Sequence, residues 1–204
     1  MMSNREKKEP GEILKSLMES NKDYAAGNRA EVDAQRDAAC SAQPQFPEAV
    51  VVSCLDSRVP VEQIFNKCVS DLFVARVAGN VMNADIVGSL EFAVLVNGVK
   101  LVMVLGHTSC GAVQGCCNGV ELGSLTQLLD KIKPAFEAVK EECGEGVDIE
   151  SAEFVNRVSE KNAELAAEQF LKSSPLIAEQ VAAGKVKVVS AIYDLQSQLV
   201  SLVG

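Results

Sequence analysis

Residues 49–58 read Ala49-Val50-Val51-Val52-Ser53-Cys54-Leu55-Asp56-Ser57-Arg58, a short apolar run that stops at a cysteine and two opposite charges. Consecutive β-branched residues without polar alternation predict a strand, Ala49–Ser53, buried on both faces as in a parallel sheet. Outward from it the pattern recurs. Leu72–Val77 predicts a second strand closed by Ala78-Gly79-Asn80, and Val99–Leu105 a third running into Gly106-His107-Thr108-Ser109-Cys110-Gly111. Val186–Ile192 predicts a fourth and Leu199–Val203 a short last one. Helical spacing marks Val61–Phe65, Asp85–Asn97 with Gly98 as its stop, Leu125–Glu142 with Pro134 as a break, and Ala152–Phe170. Strands alternating with helices give an α/β fold, a mainly parallel central sheet flanked by helices. Residues 1–44 form an N-terminal helical arm ahead of the α/β domain at 45–204. Its apolar positions Ile13, Leu14, Leu17 and Met18 need a cover, either the chain's own core or a second subunit.

The 204 residues, 48% hydrophobic and 23% charged, suffice for one sizeable core. Nineteen Lys and Arg against 28 Asp and Glu leave a net charge of −9, which repels phosphate and argues against a nucleic-acid partner. The longest apolar stretch, Leu90–Leu105, is interrupted by Lys100 and falls short of a membrane span. The polar start lacks the apolar segment of a secretory signal, so a cytoplasmic location is expected. The seven cysteines cannot all pair within one chain, and free thiols are the default in that compartment.

One histidine, His107, excludes any site that needs two imidazoles from one subunit. Cys54 closes the first strand, and His107 and Cys110 follow the third. If those strands are neighbours where strand order reverses, their carboxyl ends bring the three side chains together. Two thiolates and an imidazole are a soft set suited to zinc, and three protein ligands leave a fourth position open, the mark of a catalytic site. The plainer alternative is that a cysteine at a strand end is a small buried hydrophobe. Cys40, Cys68, Cys116, Cys117 and Cys143 read as non-ligands, and no Cys-x-x-Cys spacing supports a redox motif.

Cys54-x-Asp56-x-Arg58, with Ala78-Gly79-Asn80 and His107-x-x-Cys110-Gly111, strongly resembles the β-class carbonic anhydrases from about Gln45 to Gly111, and more loosely through Gly184–Leu195. The resemblance implies one Zn2+ per subunit held by Cys54, His107 and Cys110, and reversible hydration of CO2 to bicarbonate by zinc-bound hydroxide. Asp56 would accept a hydrogen bond from that hydroxide, and Arg58 would clamp Asp56 off the metal by a paired salt bridge. Gln45 would reach the substrate from a neighbouring subunit, implying a homodimer or higher even oligomer with shared active sites and a dimerising arm. Gly111 would offer a backbone N–H to a substrate oxygen, and Phe73, Ala78 and Phe92 would line the CO2 pocket.

The chain departs from its relatives in places. Where members with an inhibitory bicarbonate pocket carry Trp, Val51 stands here, although Arg76 and Tyr193 match the rest of that pocket. Asp194-Leu195-Gln196-Ser197-Gln198 lacks the glycine often found in the last hairpin. Two rivals remain: a hydrolase of carbonyl sulfide or carbon disulfide on the same scaffold, and a non-catalytic zinc or thiol module, against which Asp56 and Arg58 argue.

Overall fold

A computed structural model describes residues 8–30 and 34–204. In chain order the elements are α1 (Pro10–Ala25), α2 (Ala34–Ser41), β1 (Ala49–Ser53), α3 (Val61–Ile64), β2 (Leu72–Arg76), α4 (Ala84–Glu91), β3 (Leu101–His107), α5 (Gly111–Cys117), α6 (Gly123–Leu129), α7 (Lys133–Cys143), α8 (Ala152–Ser173), α9 (Pro175–Ala182), β4 (Lys187–Tyr193) and β5 (Val200–Val203). The expected α/β fold is present: one five-stranded sheet in the order β2-β1-β3-β4-β5, with β5 alone antiparallel. β1 lies between β2, which follows it, and β3, which the chain reaches by crossing over. Strand order therefore reverses between β1 and β3, where a ligand crevice opens at the carboxyl ends of an open sheet.

Alternation along the central strands explains their unbroken apolarity. Val51, Leu101, Met103 and Leu105 enter the core on one face, together with Ile13, Leu14 and Leu17 of α1. Val50, Val52, Val102 and Val104 enter the core on the other, against α4, α8 and α9. A strand buried on both faces has no polar position to give away its period.

The apolar stripe of α1 is covered by this chain's own core. Asn21, fully buried in α1, fastens it: Nδ2 donates to the carbonyls of Ile64 and Gln198 at 3.1 and 3.0 Å, and Oδ1 accepts from Val200 N at 2.8 Å. Asn21→Leu is expected to lower unfolding free energy by about 3 kcal/mol in urea titrations, about one per hydrogen bond lost. A change near zero would mean that the three partners find replacements.

Several boundaries differ from expectation for local reasons. The third strand runs on to include His107, because Gly106 and His107 still pair with Ile192 and Tyr193 of β4, and a Cβ at Gly106 would crowd α8, 3.3 Å from the Ser159 carbonyl oxygen. Leu125–Glu142 is two helices, and Pro134 sits in the first turn of the second. α5 lies where no helix was assigned; Gly111, Gly115 and two adjacent cysteines hide its period. The last turn needs no glycine, since Gln198 itself takes the left-handed conformation (φ 62) and the Asp194 carboxylate accepts from Gln196 N, Ser197 N and the Ser197 and Thr108 hydroxyls. Among the described residues, no helix is long and apolar enough to cross a membrane.

Candidate metal centre

Cys54 is the first residue beyond β1, His107 the last of β3, and Cys110 the residue preceding α5. Adjacent parallel strands in register, Ser53 beside Leu105, bring these positions to one end of the sheet. The donor atoms of the three side chains all lie within 4.8 Å of one another, and the residues are 4%, 0% and 1% exposed. The two sulfurs stand 3.9 Å apart. Two thiolates on one tetrahedral zinc at about 2.3 Å each would be separated by about 3.8 Å.

Thr108 sets the imidazole. Its carbonyl lies 2.9 Å from His107 Nδ1, which assigns the proton to that nitrogen and turns the lone pair of Nε2 toward the sulfurs. Nε2 is buried and has no hydrogen-bond partner among the described residues. A buried acceptor left unpaired is costly, and a cation is the partner that would satisfy it.

The sulfurs share their first negative charge unequally. The Cys54 thiol is lowered, first by the Cys110 thiol donating to it and then by the N–H groups of Asp56 and Gly79, against the opposing effect of burial. Cys110 is pushed strongly up, because it donates to Cys54, is buried and faces that charge. A second thiolate becomes favourable only when a cation shares the pair. Orphaned Nε2, sulfur spacing and charge together fit a divalent soft metal.

Asp56 stands at the rim, with Oδ2 3.9 Å from His107 Nε2. Arg58 holds both of its oxygens: Nε donates to Oδ1 at 3.0 Å and Nη2 to Oδ2 at 2.7 Å, and the Arg58 backbone N–H adds a bond to Oδ1 at 2.9 Å. These bonds keep the carboxyl at about 2, well below its ordinary value, although partial burial works against them. Arg58 Nη2 also donates to the Ser109 carbonyl at 3.1 Å, tying the loop after β1 to the loop after β3. Arg76 braces the first loop from β2, donating to the carbonyls of Cys54 and Asp56.

The comparisons agree with this geometry. A family model described as carbonic anhydrase matches residues 49–200. The chain belongs to the β-class carbonic anhydrases. It is 35% identical over 192 residues to carbonic anhydrase 2 of Mycobacterium tuberculosis, covering 91% of this chain and 89% of that one. It is 32% identical over 200 residues to the carbonic anhydrase of Mycolicibacterium smegmatis, covering 95% and 93%. Among solved structures, a tetrameric β-carbonic anhydrase of the ascomycete Sordaria macrospora superimposes with a TM-score of 0.75 at 25% identity, over 94% of this chain and 96% of that one.

Within this carbonic anhydrase the structure gathers Cys54, His107, Cys110, Asp56 and Arg58 at one place. Gln45 is exposed in the extended segment before β1. The five residues of β1 alone, about 16 Å of strand rise, separate it from the cluster at the opposite end. Phe73 is half-buried on the edge strand β2, Ala78 half-buried in the single turn Ala78–Asn80, and Phe92 51% exposed at the end of α4. Gly111, exposed, opens α5 directly after Cys110. Cys68, Cys116, Cys117 and Cys143 take no part in the cluster, and the Cys40 side chain lies outside the described residues. The sequence reading missed the Thr108 carbonyl, the Arg76 brace and the Gly79 N–H, which donates to Cys54 Sγ at 3.3 Å. Backbone groups carry no residue signature, but the left-handed glycine of Ala78-Gly79-Asn80 was a visible sign that the turn is special.

Proposed function

We propose that Cys54, His107 and Cys110 hold one zinc ion per subunit and that this carbonic anhydrase interconverts CO2 and bicarbonate there. The observation that supports it most is the buried, unpartnered Nε2 of His107, aimed at two sulfurs spaced for a tetrahedral cation. When bound, zinc supplies the Lewis acidity that makes water a nucleophile near neutral pH, moderated here by two thiolates that balance its charge.

This chain's residues supply direction. Asp56, held ionised by Arg58, is an acceptor only; beside the cluster it takes a hydrogen bond from the attacking water and orients its lone pair toward CO2. Arg58 occupies both carboxylate oxygens, so Asp56 is kept from ligating the metal in place of water. Gly111 offers its N–H to a substrate oxygen, with no side chain to block the approach. The distance between Gln45 and its own cluster favours a homodimer in which the partner's glutamine serves each site. The exposed faces of Phe73 and Phe92 belong to the CO2 pocket that such a partner would close.

Stopped-flow CO2 hydration decides between readings. Activity is expected in zinc-loaded protein, lost after stripping with a chelator and restored by zinc. Stripped protein that stays active would overturn the metal assignment. Turnover of carbonyl sulfide or carbon disulfide with none of CO2 would overturn the substrate.

A further inference from the structure

Asn162 is 3% exposed on the buried, mostly apolar face of α8, among Val155, Val158, Ala163 and Ala166 and one turn from Ser159, whose hydroxyl bonds back to the Val155 carbonyl. A buried amide in such a face is costly unless hydrogen-bonded, and Nδ2 donates to the Gly79 carbonyl at 2.8 Å. Gly79 and Asn80 are consecutive left-handed residues, φ 64 and φ 44, in the turn between β2 and α4. A Cβ on Gly79 would stand 2.6 Å from Ile132 Cδ1, so the residue at this turn has no side chain of its own to hold it. Yet this glycine contacts the centre directly, since its N–H donates to Cys54 Sγ. The chain of contacts runs from Asn162 through one residue of backbone to a ligand sulfur.

We propose that Asn162 is a positioning residue of the metal centre: by fixing the Gly79 carbonyl, it aims the Gly79 N–H at the Cys54 sulfur. This rests on the zinc reading above. Partners outside the ligand set fix a ligand's orientation and tune the charge it gives the metal, and their removal costs roughly ten- to a hundredfold in affinity or activity. Losing the N–H···S bond leaves Cys54 more electron-rich and less firmly aimed. The sulfur-to-metal charge transfer then falls in energy and the metal leaves faster.

The test uses full-length protein loaded with Co2+, whose thiolate charge-transfer band reports on the sulfurs. Asn162→Asp keeps the volume and removes the donor, Asn162→Ala removes both, and Asn162→Gln returns an amide. In Asp and Ala variants the band is expected to move to longer wavelength. Co2+ release to excess dipicolinate is expected to accelerate about tenfold or more, with partial recovery in the Gln variant. Variants that melt earlier yet keep the wild-type band and release rate would overturn the proposal, because a purely structural amide predicts that result. If the variants do not fold, wild-type protein loaded with 113Cd decides the matter: coupling between the Gly79 amide proton and 113Cd supports the path, and its absence overturns it. Wild-type protein that binds neither Co2+ nor Cd2+ would instead overturn the metal centre itself.

Discussion

Cys110→Ser is expected to leave a folded protein that has lost most of its zinc, with CO2 hydration reduced on the order of a thousandfold, the several kcal/mol that a Lewis acid supplies. The substitution exchanges sulfur for oxygen at a site that is 1% exposed, so packing changes little. The chemistry changes much more. A serine hydroxyl stays protonated where a thiol can ionise, and zinc prefers the softer anion. Metal content by elemental analysis, circular dichroism and stopped-flow hydration on one sample separate loss of metal from loss of fold. A Ser variant with wild-type zinc and turnover would remove Cys110 from the ligand set.

Arg58→Ala has the second largest expected effect, and it differs in kind: kcat/KM for CO2 falls about ten- to a hundredfold while zinc content stays near that of the wild type. Arg58 occupies both oxygens of Asp56, and Asp56 Oδ2 already lies 3.9 Å from His107 Nε2. Without the guanidinium the carboxylate is free to turn inward and take the position that water needs. The metal is then held by one more protein ligand, not one fewer, so chelator-driven release slows as activity drops. Arg58→Lys should recover little, because an ammonium cannot span two oxygens as a planar fork does. Parallel loss of zinc and activity would show that Arg58 supports the loop and does not restrain Asp56.

How far the sequence could be read depended on where information is stored. β1 was legible to the residue because Ala49–Val52 is an unbroken apolar run that ends at Ser53 and Cys54. The convergence of Cys54, His107 and Cys110 was legible because the chain has a single histidine and the resemblance singles out two of its seven cysteines, both beside strand ends. That Cys54 and His107 meet depends on β1 and β3 being neighbours, a fact of strand order that no local pattern encodes. α5 was missed because its glycines and paired cysteines carry no helical period. The polar bonds that steady the site lie between residues far apart in sequence, as with Asn162 and Gly79, or on backbone, as with Thr108. Asn162 could have been noticed as an amide at a helical position flanked by buried apolar residues. Its partner could not.

The clasp made by Asn21 has a consequence for biosynthesis. Two of the groups it binds belong to Gln198 and Val200, 177 and 179 residues further along the chain. During synthesis α1 thus cannot complete these hydrogen bonds until the segment carrying residues 198–200 has emerged. Nascent chains halted short of residue 200 would leave the Asn21 amide without those partners and α1 more open to proteases than chains that extend past it.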